Sequence, residues 1–335
     1  MRSRYLIPAA LILTFFVSNS LAQKPSINDT DRTRLAEAFR LADAVSDKVW
    51  PGWSKAPFPV ILVTTDYEFL IRHPRPSDDF VSLGEDRLLG SEVFYRKRQF
   101  PTNFLATFPA VGGISTIVVG QAENTAAKTS GSWVVTLLHE HFHQFQESGK
   151  DYFSEVNALG LSGGDQTGMW MLNYKFPYER EDVGKEFGRM TSLLLQFLDE
   201  KDQTRIERTA KEYAEARRAL RSTVSADEFR YFEFQMWKEG IARYTELRVA
   251  ELAAKEYEPS KAFKALPDFT SFEEVARQRK ELIRNELRNG SISEYKRILF
   301  YPVGGAEGLM LDKIRPGWQD EYFKKKFSMG YLFGE

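Results

Sequence analysis

The chain contains no cysteine, and its first residues, MRSRYLIPAALILTFFVSNSLAQ, have the layout of a secretory signal peptide. Together these two features restrict how it can fold. Arg2 and Arg4 precede an apolar run from Leu6 to Val17, and Ser20 and Ala22 occupy the small-residue positions before a cut ahead of Gln23. The run is about 12 residues, short of the roughly 20 that a spanning helix needs. Residues 1–22 are therefore expected to be removed and the rest exported, to a periplasm or to the medium. No later segment is long and apolar enough to span a membrane. An exported chain without thiols cannot use disulfides, so its fold must hold by core packing. The missing thiols also exclude thiolate metal sites and a cysteine nucleophile.

With 42% apolar and 14% aromatic residues, the chain has enough material for a sizeable core. Its formal net charge of −1 points away from nucleic acid and from anionic membranes as partners. Residues 29–49 place Leu35, Ala38, Phe39, Ala42 and Val45 at helical spacing, and Trp50-Pro-Gly-Trp53 ends that helix. Short strand-like runs follow at 59–64, 92–96 and 114–120, separated by Gly and Pro clusters. After Gly120 helical patterns dominate: 130–148, about 181–200, about 202–222, and a long one from about 226 that opens on the capping box Ser225 to Glu228. Ser271 to Glu274 starts another. The Gly-rich loop LSGGDQTG, residues 161–168, lacks the residues of a phosphate-binding loop and reads as a lid or a connector. The expected fold is α+β, with a small N-terminal sheet-bearing lobe over 23–128 and a larger, mainly helical lobe over 129–335.

Three of the four histidines fall within five positions: His139, His141 and His143. They contain H-E-x-x-H. Successive helix residues turn about 100°, so His139 and His143 sit about 40° apart on one face, one turn apart. Two imidazoles at that spacing suit one metal ion. Glu140 flanks the same face, where it can take a proton from an attacking water without being a ligand. His141 points about 200° away and reads as a structural or surface histidine. His73, in RHPRP, reads as a loop histidine.

A catalytic zinc keeps three protein ligands and an open position. The residue ten after His139 is Gly149, which rules out a third histidine there. Glu147 lies two turns along the same helix, about 12 Å from His139, too far to share a site. Glu239 lies among Phe234, Trp237, Ile241, Tyr244 and Leu247 and is followed by Gly240. A glycine within a helix costs about 1 kcal/mol relative to alanine, and close approach of a second helix is one reason to keep it. A carboxylate buried at such a contact needs a cation. The alternative is an exposed glutamate paired with Arg243 at i+4.

HEHFH followed well downstream by WKEGIARY resembles the gluzincins, zinc metallopeptidases of the H-E-x-x-H plus distant glutamate type. The resemblance covers these two helices. It implies a zincin-like fold, Zn2+ on His139, His143 and Glu239, and Glu140 as catalytic acid/base acting on a peptide or protein substrate. It further implies a tyrosine hydroxyl on the tetrahedral intermediate, for which Tyr301, in YPVGGAEGLMLD, is the first choice and Tyr244 or Arg243 are weaker ones. The other reading of Tyr301 is a core tyrosine beside a glycine-rich packing helix. The resemblance also implies that strand 114–120 borders the cleft and pairs with an extended peptide. The alternatives to a zinc peptidase are an inactive zincin-like binding protein and a metal-free structural exported protein. Oligomeric state is not encoded in any pattern here.

Overall fold

The computed structural model describes residues 24–334; the expected signal peptide, residues 1–22, lies outside the described residues. The first helix, α1 (Asp29–Val49), is capped by Asn28, whose side chain accepts from Asp31 N at 2.8 Å. It ends at Trp50 and buries the predicted face of Leu35, Ala38, Phe39, Ala42 and Val45. Six strands follow: β1 (Val60–Val63), β2 (Tyr67–Ile71), β3 (Val81–Asp86), β4 (Ser91–Lys97), β5 (Leu105–Val111) and β6 (Ile114–Gly120). They form one sheet in the order β3-β4-β2-β1-β6-β5. β1 pairs with β6 in parallel, and every other pair is antiparallel.

Strand β1 is apolar throughout, because both faces of the sheet are covered there. Val60, Leu62, Ile117 and Val119 join the main core under the helices. Ile61, Val63 and Val118 face a smaller aromatic cluster with Phe80, Phe94, Phe100, Phe104 and Phe108. Sequence patterning predicts β1, β4 and β6. It does not predict β2, nor the two edge strands, where β5 carries Pro109 and β3 carries Gly84 at φ 93°, at which the register shifts. The expectation that strand 114–120 pairs with an extended peptide is corrected: β6 lies between β1 and β5, and β5 is the edge strand.

A larger helical region follows, so the chain is α+β as expected. Its elements are α2 (Ser130–Glu147), α3 (Tyr152–Ala158), α4 (Trp170–Asn173), α5 (Glu181–Asp199), α6 (Gln203–Thr223), α7 (Ala226–Gln235), α8 (Ile241–Glu256), α9 (Lys261–Lys264), α10 (Phe272–Asn289), α11 (Ile292–Tyr295), α12 (Phe300–Ile314) and α13 (Gln319–Tyr322). The capping box of Ser225 and Glu228 is formed in both directions. The long helix predicted from 226 is interrupted: α7 and α8 are joined by a π turn, Met236–Gly240. Such turns insert an extra residue and recur at functional sites.

α12 packs on that turn at backbone distance. A Cβ added to Gly304 would lie 2.4 Å from Gly240 Cα, and one added to Gly240 would lie 2.6 Å from Gly304 Cα. One turn on, a Cβ at Gly308 would meet the Tyr244 ring at 2.6 Å. Gly304→Ala is expected to lower stability by about 1–3 kcal/mol, since the clash is with backbone that cannot rotate away. Gly188→Ala, in α5 with nothing within 4 Å of the new methyl, is expected to raise it by about 0.5–1 kcal/mol. Urea unfolding of the two variants checks the opposite signs.

The middle histidine of the cluster belongs to the core. His141 stacks on Phe58 with ring centroids 3.8 Å apart and on Trp53 at 5.4 Å, and burial lowers its pKa from an ordinary 6.5 to about 4. Between those values the unfolded chain binds a proton that the folded chain refuses, so stability falls as pH drops from 6.5 towards 4. The stability of the wild type is expected to decline relative to His141→Phe across that window, by up to about 3 kcal/mol, as read from denaturation at several pH values.

Candidate metal centre

α2 is buried along most of its length and packs on α1, α8 and the β5–β6 hairpin. Its start is tied to the end of β6 by Trp133 Nε1, which donates to Gly120 O at 3.0 Å. This seats Glu140 and His143 at the floor of a cavity of about 600 Å³. The cavity runs between the edge strand β5 and the segment after α3, and its lining includes Glu140, His143, Glu239 and Tyr301. A second cavity, of about 450 Å³, lies by α7 and the C-terminal segment and holds none of these residues.

His139, His143 and Glu239 form a group able to hold a metal ion, with one ligand atom from each lying within 4.8 Å of the others. His143 Nε2 and Glu239 Oε2 are 3.4 Å apart. Two ligands about 2.1 Å from a tetrahedral metal are separated by about 3.4 Å, so this pair already stands at the spacing of shared coordination. The alternative reading of Glu239 does not hold, because Arg243 pairs with Glu246 at 3.5 Å instead.

The other ring nitrogen of each histidine faces a side-chain oxygen. His143 Nδ1 lies 2.7 Å from Gln146 Oε1. The Gln146 amide is oriented by its Nε2, which donates to Trp237 O at 3.0 Å and to Lys238 O at 3.1 Å. Its oxygen therefore faces the imidazole, Nδ1 carries the proton, and Nε2 keeps its lone pair. His139 Nδ1 faces Glu246 Oε2 at 3.7 Å, and Glu246 is anchored by Arg279 Nε at 2.7 Å. Partners of this kind set the tautomer and ring orientation of metal-binding histidines. The H-x-x-Q spacing of His143 and Gln146 was a readable signal for one of them. Glu246, two turns beyond Glu239 on another element, had none.

Charge is balanced locally. Burial would raise the Glu239 pKa, but His143, then His139 and Lys238, hold its carboxyl far below the usual carboxylate range. Burial would lower the His143 pKa, and Glu239 overrules it and raises it. Burial also opposes charge on Glu246, yet Arg279, then Arg243, hold it low. Lys238 Nζ pairs with Glu147 Oε1 at 2.7 Å, so Glu147 serves the lysine and not the metal group.

Glu140 faces the cleft, and its Oε2 accepts from Thr107 Oγ1 of β5 at 2.6 Å. The Tyr301 ring lies parallel to His139 with centroids 6.5 Å apart. Its hydroxyl accepts from Arg297 Nη1 at 2.8 Å. Burial, then the Glu239 charge, raise the Tyr301 pKa, so it remains a protonated phenol able to donate. Tyr244 is turned away and donates to Asp312 Oδ1 at 2.9 Å. His73 is a buried loop histidine whose Nδ1 accepts from Arg75 N. The 161–168 loop contributes Asp165 to Gly168 to the cleft wall.

No protein-family model, no curated protein and no solved structure matches this chain.

Gln146→Leu is expected to weaken metal binding about 10- to 100-fold, because it frees the His143 tautomer. Gln144→Leu, which removes the corresponding partner of His141, is expected to leave the affinity of the folded protein unchanged. Competition with a chromophoric chelator measures both.

Proposed function

We propose that the chain is an exported zinc-dependent hydrolase that cuts peptide bonds. Two imidazoles and one carboxylate, all nitrogen or oxygen donors with room for a fourth position, suit zinc. The donor set fits, because Gln146 Oε1 faces His143 Nδ1 and so leaves Nε2 as the metal-facing atom, and the Glu239 carboxylate stands at coordination spacing from that Nε2. When bound, zinc supplies Lewis acidity, polarising a carbonyl and easing the ionisation of water at neutral pH. The export reading rests on the N-terminal sequence.

The observation that carries the hydrolase reading is Glu140, a carboxylate that lines the same cleft as the ligands without being one. Thr107 holds one of its oxygens. The other is left to take a proton from the attacking water and return it to the leaving group. Tyr301, kept protonated and oriented by Arg297, donates to the oxygen that gains charge as the carbonyl is attacked. A peptide substrate is supported by β5, an edge strand along the cleft whose free side suits the backbone of an extended chain.

Purified mature protein is expected to hold one zinc per chain by elemental analysis, and His139→Ala or Glu239→Ala to lose it. Glu140→Gln is expected to keep zinc while peptide hydrolysis falls by about 10²–10⁴-fold. Retained hydrolysis in Glu140→Gln would overturn the role of Glu140. A zinc-loaded wild type that cuts no peptide would leave a metal-binding protein without peptidase activity.

A further inference from the structure

Two side-chain cations line the cleft beside the metal group, Lys238 and Arg297. Lys238 has its counter-ion in Glu147 and a second partner in Tyr152 OH at 3.2 Å. Arg297 donates one hydrogen bond, to Tyr301 OH, and among the described residues no carboxylate forms an ion pair with it. Burial opposes its charge, and Tyr301, then Glu239, favour it; a bound metal would take up the Glu239 charge. A guanidinium presents five donors in a planar fork shaped for a carboxylate. None of its remaining donors is a buried atom without a partner, so they open to the cleft, where a carboxylate can take them.

The backbone holds Arg297 in place at a cost. Lys296, just before it, has φ 47° and ψ −130°, a conformation that side chains other than glycine rarely adopt and that persists where surrounding structure enforces it. The turn carries the guanidinium over the Tyr301 ring, 5.4 Å from its centroid. Elsewhere on the cleft wall, Leu105, Phe153, Met169 and Leu172 are 39%, 43%, 49% and 47% exposed. Large apolar side chains left this open along one cleft mark a binding surface for apolar groups.

We infer that Arg297 receives a carboxylate of the substrate, so that the enzyme cuts peptides close to a C-terminal carboxylate while the apolar rim takes a bulky side chain. The inference rests on the peptidase reading above. One tyrosine ring separates Arg297 from the metal ligands. A residue of extended chain spans about 3.5 Å, so a carboxylate on Arg297 falls within about one or two residues of the bond at the metal. The reaction is hydrolysis. The oxygen of water bonds to the carbonyl carbon and the C–N bond breaks. The short C-terminal fragment leaves as an amine, taking the proton carried by Glu140.

The test uses zinc-loaded Glu140→Gln protein and calorimetry with the peptide Ala-Ala-Leu-Phe, as free acid and as C-terminal amide. The free acid is expected to bind at least tenfold more tightly. That preference is expected to vanish in the Glu140→Gln, Arg297→Met double variant, with zinc content unchanged, and to return in part with Arg297→Lys. A second arm uses the amide of Ala-Glu-Leu-Phe; tight, Arg297-dependent binding there assigns the carboxylate to an acidic side chain. Equal binding of acid and amide, or no binding of any peptide, overturns the inference. The two readings fail separately. Wild-type protein that cuts free and amidated peptides equally is a peptidase without this subsite. An Arg297-dependent preference without cutting is a carboxylate site in a protein that is not a peptidase.

Discussion

Gly240 and Gly304 touch backbone to backbone, and neither position has room for a Cβ. Each glycine weakens its own helix by about 1 kcal/mol relative to alanine. The contact they allow places α12 against the π turn, and residues beside the two glycines then become neighbours. Glu239 directly precedes Gly240, and Tyr301 stands three residues, almost one turn, before Gly304. A candidate ligand and a candidate hydrogen-bond donor therefore reach the cleft through one close contact. Gly308 against Tyr244 continues the same seam along α12.

Ionisable groups deep in this region are matched one by one. Glu147 answers Lys238, and Arg279 answers Glu246. Farther along α12, buried Glu307 pairs with Arg217, which also holds Glu233. Such matching is needed because an isolated buried charge is strongly unfavourable. The metal group is balanced the same way, with the charge of Glu239 answered by its histidines. A proton on His143 and a metal ion are alternative cations for one place, so they compete for it.

Much of this was legible in local patterns. The helix of His139 and His143, the capped start at Ser225, the glycine contact at Gly240 and the α+β order all follow from spacing, caps and composition. The strands found by pattern were β1 and β6, buried on both faces, and β4. Central strand β2 was missed as well, and the edge strands β3 and β5 were hidden because edges tolerate proline and bulges that erase alternation. That mattered for the site, since β5, not β6, borders the cleft and carries Thr107 to Glu140. The π turn was also hidden, because Phe234, Trp237, Ile241, Tyr244 and Leu247 keep the three- and four-residue spacing of an ordinary helix across it. Arg297 gave no signal at all; it sits in an unremarkable stretch and gains meaning only by lying over Tyr301.

By itself the sequence determined what depends on one helix or on composition. Two imidazoles fall on one face with a carboxylate at their flank, a third histidine points away from them, and cysteine chemistry is absent. Those relations span at most two turns, and helix geometry sets them wherever the helix lies. The tertiary structure decided what must cross between elements. It brought Glu239 to His143 from nearly a hundred residues away, gave His143 its Nδ1 partner and set Glu246 facing His139, and left Arg297 without a carboxylate counter-ion among the described residues. These depend on how closely helices approach and which charges find partners, and only the packed core sets both.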